Sequence, residues 1–351
     1  MKTNSAVTRV TTTSAAAGGV LVLVALVLAA FAVAALGGEV APVDTLLARG
    51  DRALDAGDAD AAEALFLEVL ELSGKEHRAE HGLAVVGLMR DDHDSVIEHA
   101  RRAIKRDKKN SGYHLTLAYG YGLKAQQGGL QSLFYAGKFK GECETALKYD
   151  PENVDAHMAL VQYYVMAPGI AGGGMDKALT TAATISGLDP FQGHLASAFI
   201  ARHDGDVAAA ESAYSRAASV DTTRAGGWIP LAAFYMEEER YDEAIPVGER
   251  ILRLEPDNHG VVYQLAKAHL LLGDDLDAAL RGFTEYLEAG VEERGLPDPA
   301  AAHWRLGMVH DKAGRPTAAR ESWETALALS PGHKQATACL DTLRTEHPEL
   351  W

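Results

Sequence analysis

The sequence predicts an all-α fold: a solenoid of stacked helix-turn-helix repeats behind an N-terminal hydrophobic helix. Three observations predict it. Equivalent positions return every 34 residues, at Arg49, Leu83 and Leu117 and again at Ser197, Leu231 and Leu265, and a fixed period of this size marks a stacked repeat. The partner helix of each unit places small and bulky residues on one face, as in Ala62 with Phe66, Ala210 with Tyr214 and Ala217, and Ala319 with Trp323 and Ala326. The small residue lets two helices approach and the aromatic fills the gap beside it. Units close on helix-stopping pairs, Asp150-Pro151, Asp189-Pro190, Glu255-Pro256 and Ser330-Pro331, because proline cannot continue a helix and disfavours helical geometry in the residue before it.

Composition agrees. At 351 residues, 47% hydrophobic and 23% charged, the chain is too apolar for disorder, and scarce aromatics with abundant alanine favour helix over sheet. Thirty-three basic against 49 acidic residues give a net charge of −16, which opposes the phosphate contacts that supply most nucleic-acid affinity and excludes nucleic acid as the main partner. Cys143 and Cys339 lie far apart in the repeat pattern, which excludes a disulfide scaffold or a four-cysteine zinc site.

The first 38 residues form a separate region. Lys2 and Arg9 are the only charges before Glu39, and Val20 to Leu36 is an unbroken apolar run. With its flanks, residues 15–38, it is long enough to cross a hydrocarbon core of roughly 30 Å. Small residues such as Ala30-Phe31-Ala32 also supply signal-cleavage sites, so a retained anchor and a removed signal peptide both stay open. Positive charge before the run and acidic residues after it place the rest of the chain across the membrane, in the cell envelope on the periplasmic side of the inner membrane. The expected layout is residues 1–38 as signal or anchor, 41–332 as eight helix pairs, and 333–351 as a capping helix and tail. His333 to Glu346 mixes polar residues with Ala, Leu and Cys339, as suits a helix that shields the last pair.

Leu160 and Leu306 hold the mid-face place in the remaining units. With Leu306, Gly307, Ala319, Trp323, Ala326 and Pro331 as its best single match, the chain resembles the tetratricopeptide repeat family over roughly residues 41–346. The segment Ser111 to Ala178 is also similar to poorly characterised bacterial envelope proteins of that family. The resemblance implies a right-handed superhelix, no catalysis, no cofactor, and a protein or peptide partner rather than a small-molecule substrate. Departures occur at Arg49 and Ser197, where Leu is expected, and at Val96 and Phe139, where a small residue is expected. Units three and two, which carry Phe139 and Val96, are expected to be distorted but still paired. Gln126 to Gly129 and Ala167 to Gly174 lengthen units three and four, the latter read as a flexible excursion.

At 100° per residue, positions five before, two before, two after and five after the mid-face residue lie opposite the packing face, which in the resembled family lines a concave groove. There the sequence places Leu115 and Tyr119, Met158 and Val165, Leu195 and Phe199, Ile229 and Met236, Tyr263, Lys267 and Leu270, and Trp304 and Met308. An apolar, methionine- and aromatic-rich trough suits an extended peptide or a partner helix. The alternative is that curvature buries the same residues between neighbouring units. Arg202 and Lys267 are candidate partners for a ligand carboxylate or simple solubilising charges.

His77-Arg78-Ala79-Glu80-His81 spells H-x-x-E-H, an inverted zinc-protease pattern in which two His ligate metal and Glu acts as base. No third ligand or cleft accompanies it, so a metal-dependent hydrolase is the weaker alternative and no metal site is expected. The glycine run Gly169 to Gly174 lacks the lysine and strand of a phosphate loop. Nucleophile-elbow, C-x-x-C and dinucleotide fingerprints are absent. A third reading is an architectural subunit of an envelope assembly (secretion, polysaccharide export or cytochrome maturation) that binds through loops or its convex face.

Overall fold

The computed structural model describes residues 42–129, 131–290 and 295–351. The segment read as anchor or signal lies outside the described residues. Within them are seventeen α-helices and no strand, and no helix is long and apolar enough to cross a membrane.

The helices form eight antiparallel pairs and one closing helix. Unit 1 is α1 (Val43–Asp55) with α2 (Ala59–Leu72), and unit 2 is α3 (His77–Met89) with α4 (His93–Arg106). Units 3 and 4 are α5 (Ser111–Gln126) with α6 (Ser132–Tyr149) and α7 (Val154–Met166) with α8 (Met175–Leu188). Units 5 and 6 are α9 (Pro190–Asp204) with α10 (Val207–Val220) and α11 (Ile229–Glu237) with α12 (Tyr241–Leu254). Units 7 and 8 are α13 (His259–Leu272) with α14 (Leu276–Glu288) and α15 (Pro299–Lys312) with α16 (Pro316–Leu329). Helix α17 (Lys334–Glu346) packs Ala336 and Leu343 onto Ala319, Trp323 and Ala326 of α16.

Local chemistry sets the boundaries. Asp58, Asp92, Asp206 and Asp275 each accept a backbone N–H at the start of a second helix, and Asn110, Asn153 and Asn258 do the same for first helices; such caps satisfy amides that a helix start leaves unpaired. In units 1, 2, 5, 6 and 7 the turn passes through a left-handed residue at the repeat interval: Gly57 then Asp91, and Gly205, Glu239 then Gly273. Asp91 and Glu239 adopt positive φ, 54° and 56°, with a Cβ, a conformation that costs a non-glycine residue about 1 kcal/mol.

Packing between the helices follows a socket rule. A Cβ added to Gly50 of α1 or to Gly82 of α3 would fall 2.6 Å or 2.4 Å from the ring of Phe66, so Phe66 of α2 seats its fully buried ring between two backbones that have no side chain there. Trp323 lies over Gly307 in the same way and donates its indole N–H to the Trp304 carbonyl at 3.0 Å. The departures expected to distort units 2 and 3 are accommodated by this device: Val96 fits against Gly87 and Gly120, and Phe139 against Gly122. Helices α5 and α6 pair closely, and Cys143 with Ala146 fills their core; burial pushes the Cys143 thiol up to about 12.

First helices of neighbouring units touch at four of the seven junctions, α1 with α3, α3 with α5, α7 with α9 and α13 with α15, whereas second helices of neighbouring units do not pack to this extent at any of them. The array therefore curves towards its first helices, and these line the concave side.

Gly82→Ala is expected to destabilise the chain by about 1–3 kcal/mol, since overpacking against Phe66 outweighs alanine's helix propensity. Glu239→Gly is expected to stabilise it by up to about 1 kcal/mol by relieving the left-handed turn. Urea-unfolding midpoints of both variants check the two signs.

Candidate protein-interaction groove

Most of the trough is filled by its own side chains. Tyr119, Met158, Phe199, Trp304 and Met308 are half-buried and pack onto clusters that join one unit to the next or to the closing helix, and burial pushes the Tyr119 hydroxyl up to about 12. Leu195 and Val165 are likewise half-buried, while Leu115 and Leu270 are core residues. Tyr263 departs most from expectation. It is 4% exposed, its ring meets Phe283 and Tyr286, and its hydroxyl accepts a hydrogen bond from Arg305 Nε at 2.9 Å. The cause is curvature: first helices that touch bury what a straight stack leaves open.

An open stretch lies between units 6 and 7. Helices α11 and α13 do not pack closely on one another, and between them opens a cavity of about 520 Å³. Ile229 and Met236 of α11 and Lys267 of α13, all placed in the groove by the sequence, line it together with Val261, Gln264 and Leu296. Helix α11 is short and follows a 3-10 turn at Ala225–Gly227. Here the socket rule is inverted: Gly248 on second helix α12 receives Leu265 of α13, so α13 leans on α12 rather than on α11. Leu296, beyond the α14 helix, closes one end against Gly260.

The cavity is apolar with few polar atoms, as ligand grooves usually are. Asn258, Gln264, Glu237 and Lys267 supply them. Glu237 is engaged by Arg202 at 2.7 Å, so Arg202 is not available as a free cation. Burial lowers the Lys267 pKa, and Arg305 lowers it further by charge repulsion; among the described residues no carboxylate pairs with Lys267. The sequence missed Val261 and Gln264, which with Lys267 form a stripe at three-residue steps on α13. That spacing is visible in the sequence, but the phase of the exposed stripe is set by how α13 leans.

The H-x-x-E-H residues do not converge. His77 Nδ1 meets the Tyr113 hydroxyl at 2.7 Å and His81 Nε2 the Thr116 hydroxyl at 2.9 Å, both on α5, while Glu80 turns to His99 of α4 at 2.7 Å. No cluster of three metal-ligating side chains occurs among the described residues. Thr116 donates its own proton to the Gly112 carbonyl, so His81 donates from Nε2 and is neutral at Nδ1. Buried against Tyr113, with ring centroids 4.7 Å apart, it has its pKa lowered by desolvation to about 4. His114 is the opposite case: the carboxylate of Glu142 at 2.7 Å raises its pKa.

The glycine run of unit 4 is a braced turn rather than a free excursion. It holds a 3-10 turn at Gly169–Ala171, the Tyr163 hydroxyl donates to the Ala171 carbonyl, and Lys177 donates to the Gly172 carbonyl.

With this architecture in view, comparisons with known proteins are specific at the level of family. Tetratricopeptide repeat models match residues 47–111, 235–295 and 300–333. The chain is a tetratricopeptide repeat protein, a class of helical scaffold for protein–protein interaction. Among solved structures, a thermophilic tetratricopeptide repeat protein of Thermus thermophilus is 18% identical, covering 65% of this chain and all (100%) of that one, with a TM-score of 0.41. A tetratricopeptide repeat protein from Parabacteroides merdae is 12% identical over 86% of this chain and 98% of its own, with a TM-score of 0.42. Human IFIT1, solved as a dimer with m7Gppp-AAAA, is 14% identical over 85% of this chain and 75% of its own, with a TM-score of 0.49. No curated protein matches the chain.

Acid is expected to weaken the interface between units 2 and 3 through His81. Its folded pKa is depressed, so the unfolded state takes up the proton first: stability falls as pH drops from about 6.5 towards 4, by up to about 3 kcal/mol. The His114–Glu142 pair acts with the opposite sign, its contribution being present at low pH and lost as pH rises through the elevated histidine pKa. Denaturation series across this range are expected to show a shallower acid limb in His81→Leu than in the wild type.

Proposed function

We propose that this chain is a non-catalytic adaptor of the cell envelope that holds an apolar segment of a partner protein, as an extended peptide or a helix, between units 6 and 7. In this reading residues 15–38 carry it to the membrane, as a retained anchor or a removed signal, and the solenoid stands on the periplasmic side. One observation supports the groove above all: a cavity of about 520 Å³, lined by Ile229, Met236, Val261, Leu265 and Leu296, contains a half-buried lysine with no carboxylate partner among the described residues. Holding an ammonium away from water is unfavourable unless an anion meets it, so the segment that fits is apolar with one acidic group placed to reach Lys267. The remaining groove positions shape the scaffold rather than contact the partner, since their side chains are committed to the core.

A photo-crosslinking residue in place of Met236 is expected to capture a partner in the native envelope, with at least tenfold less adduct when Lys267→Glu is added. The same residue in place of the exposed Glu321 on α16 serves as the control. Equal adducts from both positions, or none from position 236, would count against the groove. Sequencing the N-terminus of the captured protein separates anchor from signal.

A further inference from the structure

The chain is acidic overall, yet its charge is not evenly spread. Between His99 and Gly141 it carries nine lysines and arginines and a single acid, Asp107. The fold gathers part of this stretch into one surface. Arg101 of α4 and Lys138 of α6 lie over the ring of Tyr121 of α5, at 5.8 Å and 5.0 Å from its centroid, and Lys138 also sits 4.5 Å from the centre of the Phe134 ring. Neither cation has a carboxylate partner among the described residues. The carboxylates nearby are already engaged or few: Asp94 pairs with Lys124, Glu144 with Lys140, and Asp176 stands beside Lys177 in sequence.

The two insertions that break the repeat interval lie beside this surface. Both join a first helix to a second helix, α5 to α6 and α7 to α8, in consecutive units, so they share one edge of the solenoid. The second lies against α6, the helix that the first leads into: a Cβ on Gly172 would lie 4.0 Å from Lys140 Cε. Each presents large apolar side chains to solvent. Leu133 and Phe134, at the start of α6, are 55% and 59% exposed, and Met166, at the end of α7, and Ile170, in the turn that follows it, are 72% and 94% exposed. Three of these four side chains are aliphatic, beside cations without carboxylate partners, whereas base stacking uses aromatic planes. They suit an interface in which apolar side chains enter the acyl boundary while basic residues meet anionic headgroups.

We propose that this edge, formed by the turns of units 3 and 4 with Arg101 and Lys138 beside them, is a docking surface for an anionic lipid bilayer. It is independent of the unit 6–7 groove and of residues 15–38. It orients the solenoid flat against the membrane instead of leaving it to swing from its N-terminus.

The test uses the full chain with Cys339→Ser and Ile170→Cys, labelled at position 170 with an environment-sensitive fluorophore; Cys143 is buried and does not compete. Position 170 is almost wholly exposed, so the substitution leaves the core intact, and circular dichroism verifies this. The probes are vesicles of phosphatidylcholine alone and of phosphatidylcholine with phosphatidylglycerol. The label is expected to brighten and shift to the blue only with the anionic vesicles, with a response that added salt weakens. Lys138→Gln is expected to lower the partition about fivefold. A label at Glu321→Cys is expected to stay silent. The proposal is overturned if position 170 does not respond while the chain sediments with vesicles through its N-terminus. It is equally overturned if both vesicle types give the same response, or if a single-stranded oligonucleotide or unlabelled copies of the chain move the signal at lower concentration than the anionic vesicles do.

Discussion

The structure depends on one steric relation: a bulky side chain from one helix enters the space that a glycine leaves on the backbone of another. Phe66 between Gly50 and Gly82 is the clearest case, with Trp323 over Gly307 and Val96 against Gly87 and Gly120. Interiors are close-packed, so the missing Cβ and the inserted ring must match in volume. This sets how near successive helices come, and through that the curvature of the array. Beside the cavity the glycine lies on the second helix α12, Gly248 receiving Leu265 of α13, and α13 seats there while space stays open against α11. The groove is thus a local consequence of the same rule that closes the trough elsewhere.

Nearest-neighbour architecture lets each stretch of surface carry its own chemistry. A repeat contacts chiefly its neighbours, so a basic, apolar edge on units 3 and 4 coexists with an acidic remainder and with a groove on units 6 and 7. The histidines of units 2 and 3 show the same locality in titration. His81 is held neutral by burial against α5, while His114 is held charged more readily by Glu142 of α6. Two histidines in adjoining helices therefore respond to acid with opposite sign.

Much of the fold was legible because period and turn chemistry are local. The 34-residue interval, the Asp-Pro and Ser-Pro stops and the pairing of Phe139's helix with α5 all follow from residues close in sequence, and left-handed turns recur on the same interval. The site was legible only in part. Ile229, Met236 and Lys267 line the cavity, whereas Tyr263 has the same nominal phase and is buried. Helical phase reports direction about one axis, and whether that direction meets solvent depends on how far the next unit tilts.

By itself, then, the sequence determined the all-helical class, the 34-residue interval and the small and bulky residues that pair the helices, since each of these is written in spacing within about one repeat. Only the tertiary structure decided which stretch of trough stays open, that Glu80 turns away from His77 and His81, and that two separate insertions share an edge with Arg101 and Lys138. Those outcomes depend on distances between residues from different units, and a small change in the tilt of one helix pair alters them without changing any local pattern.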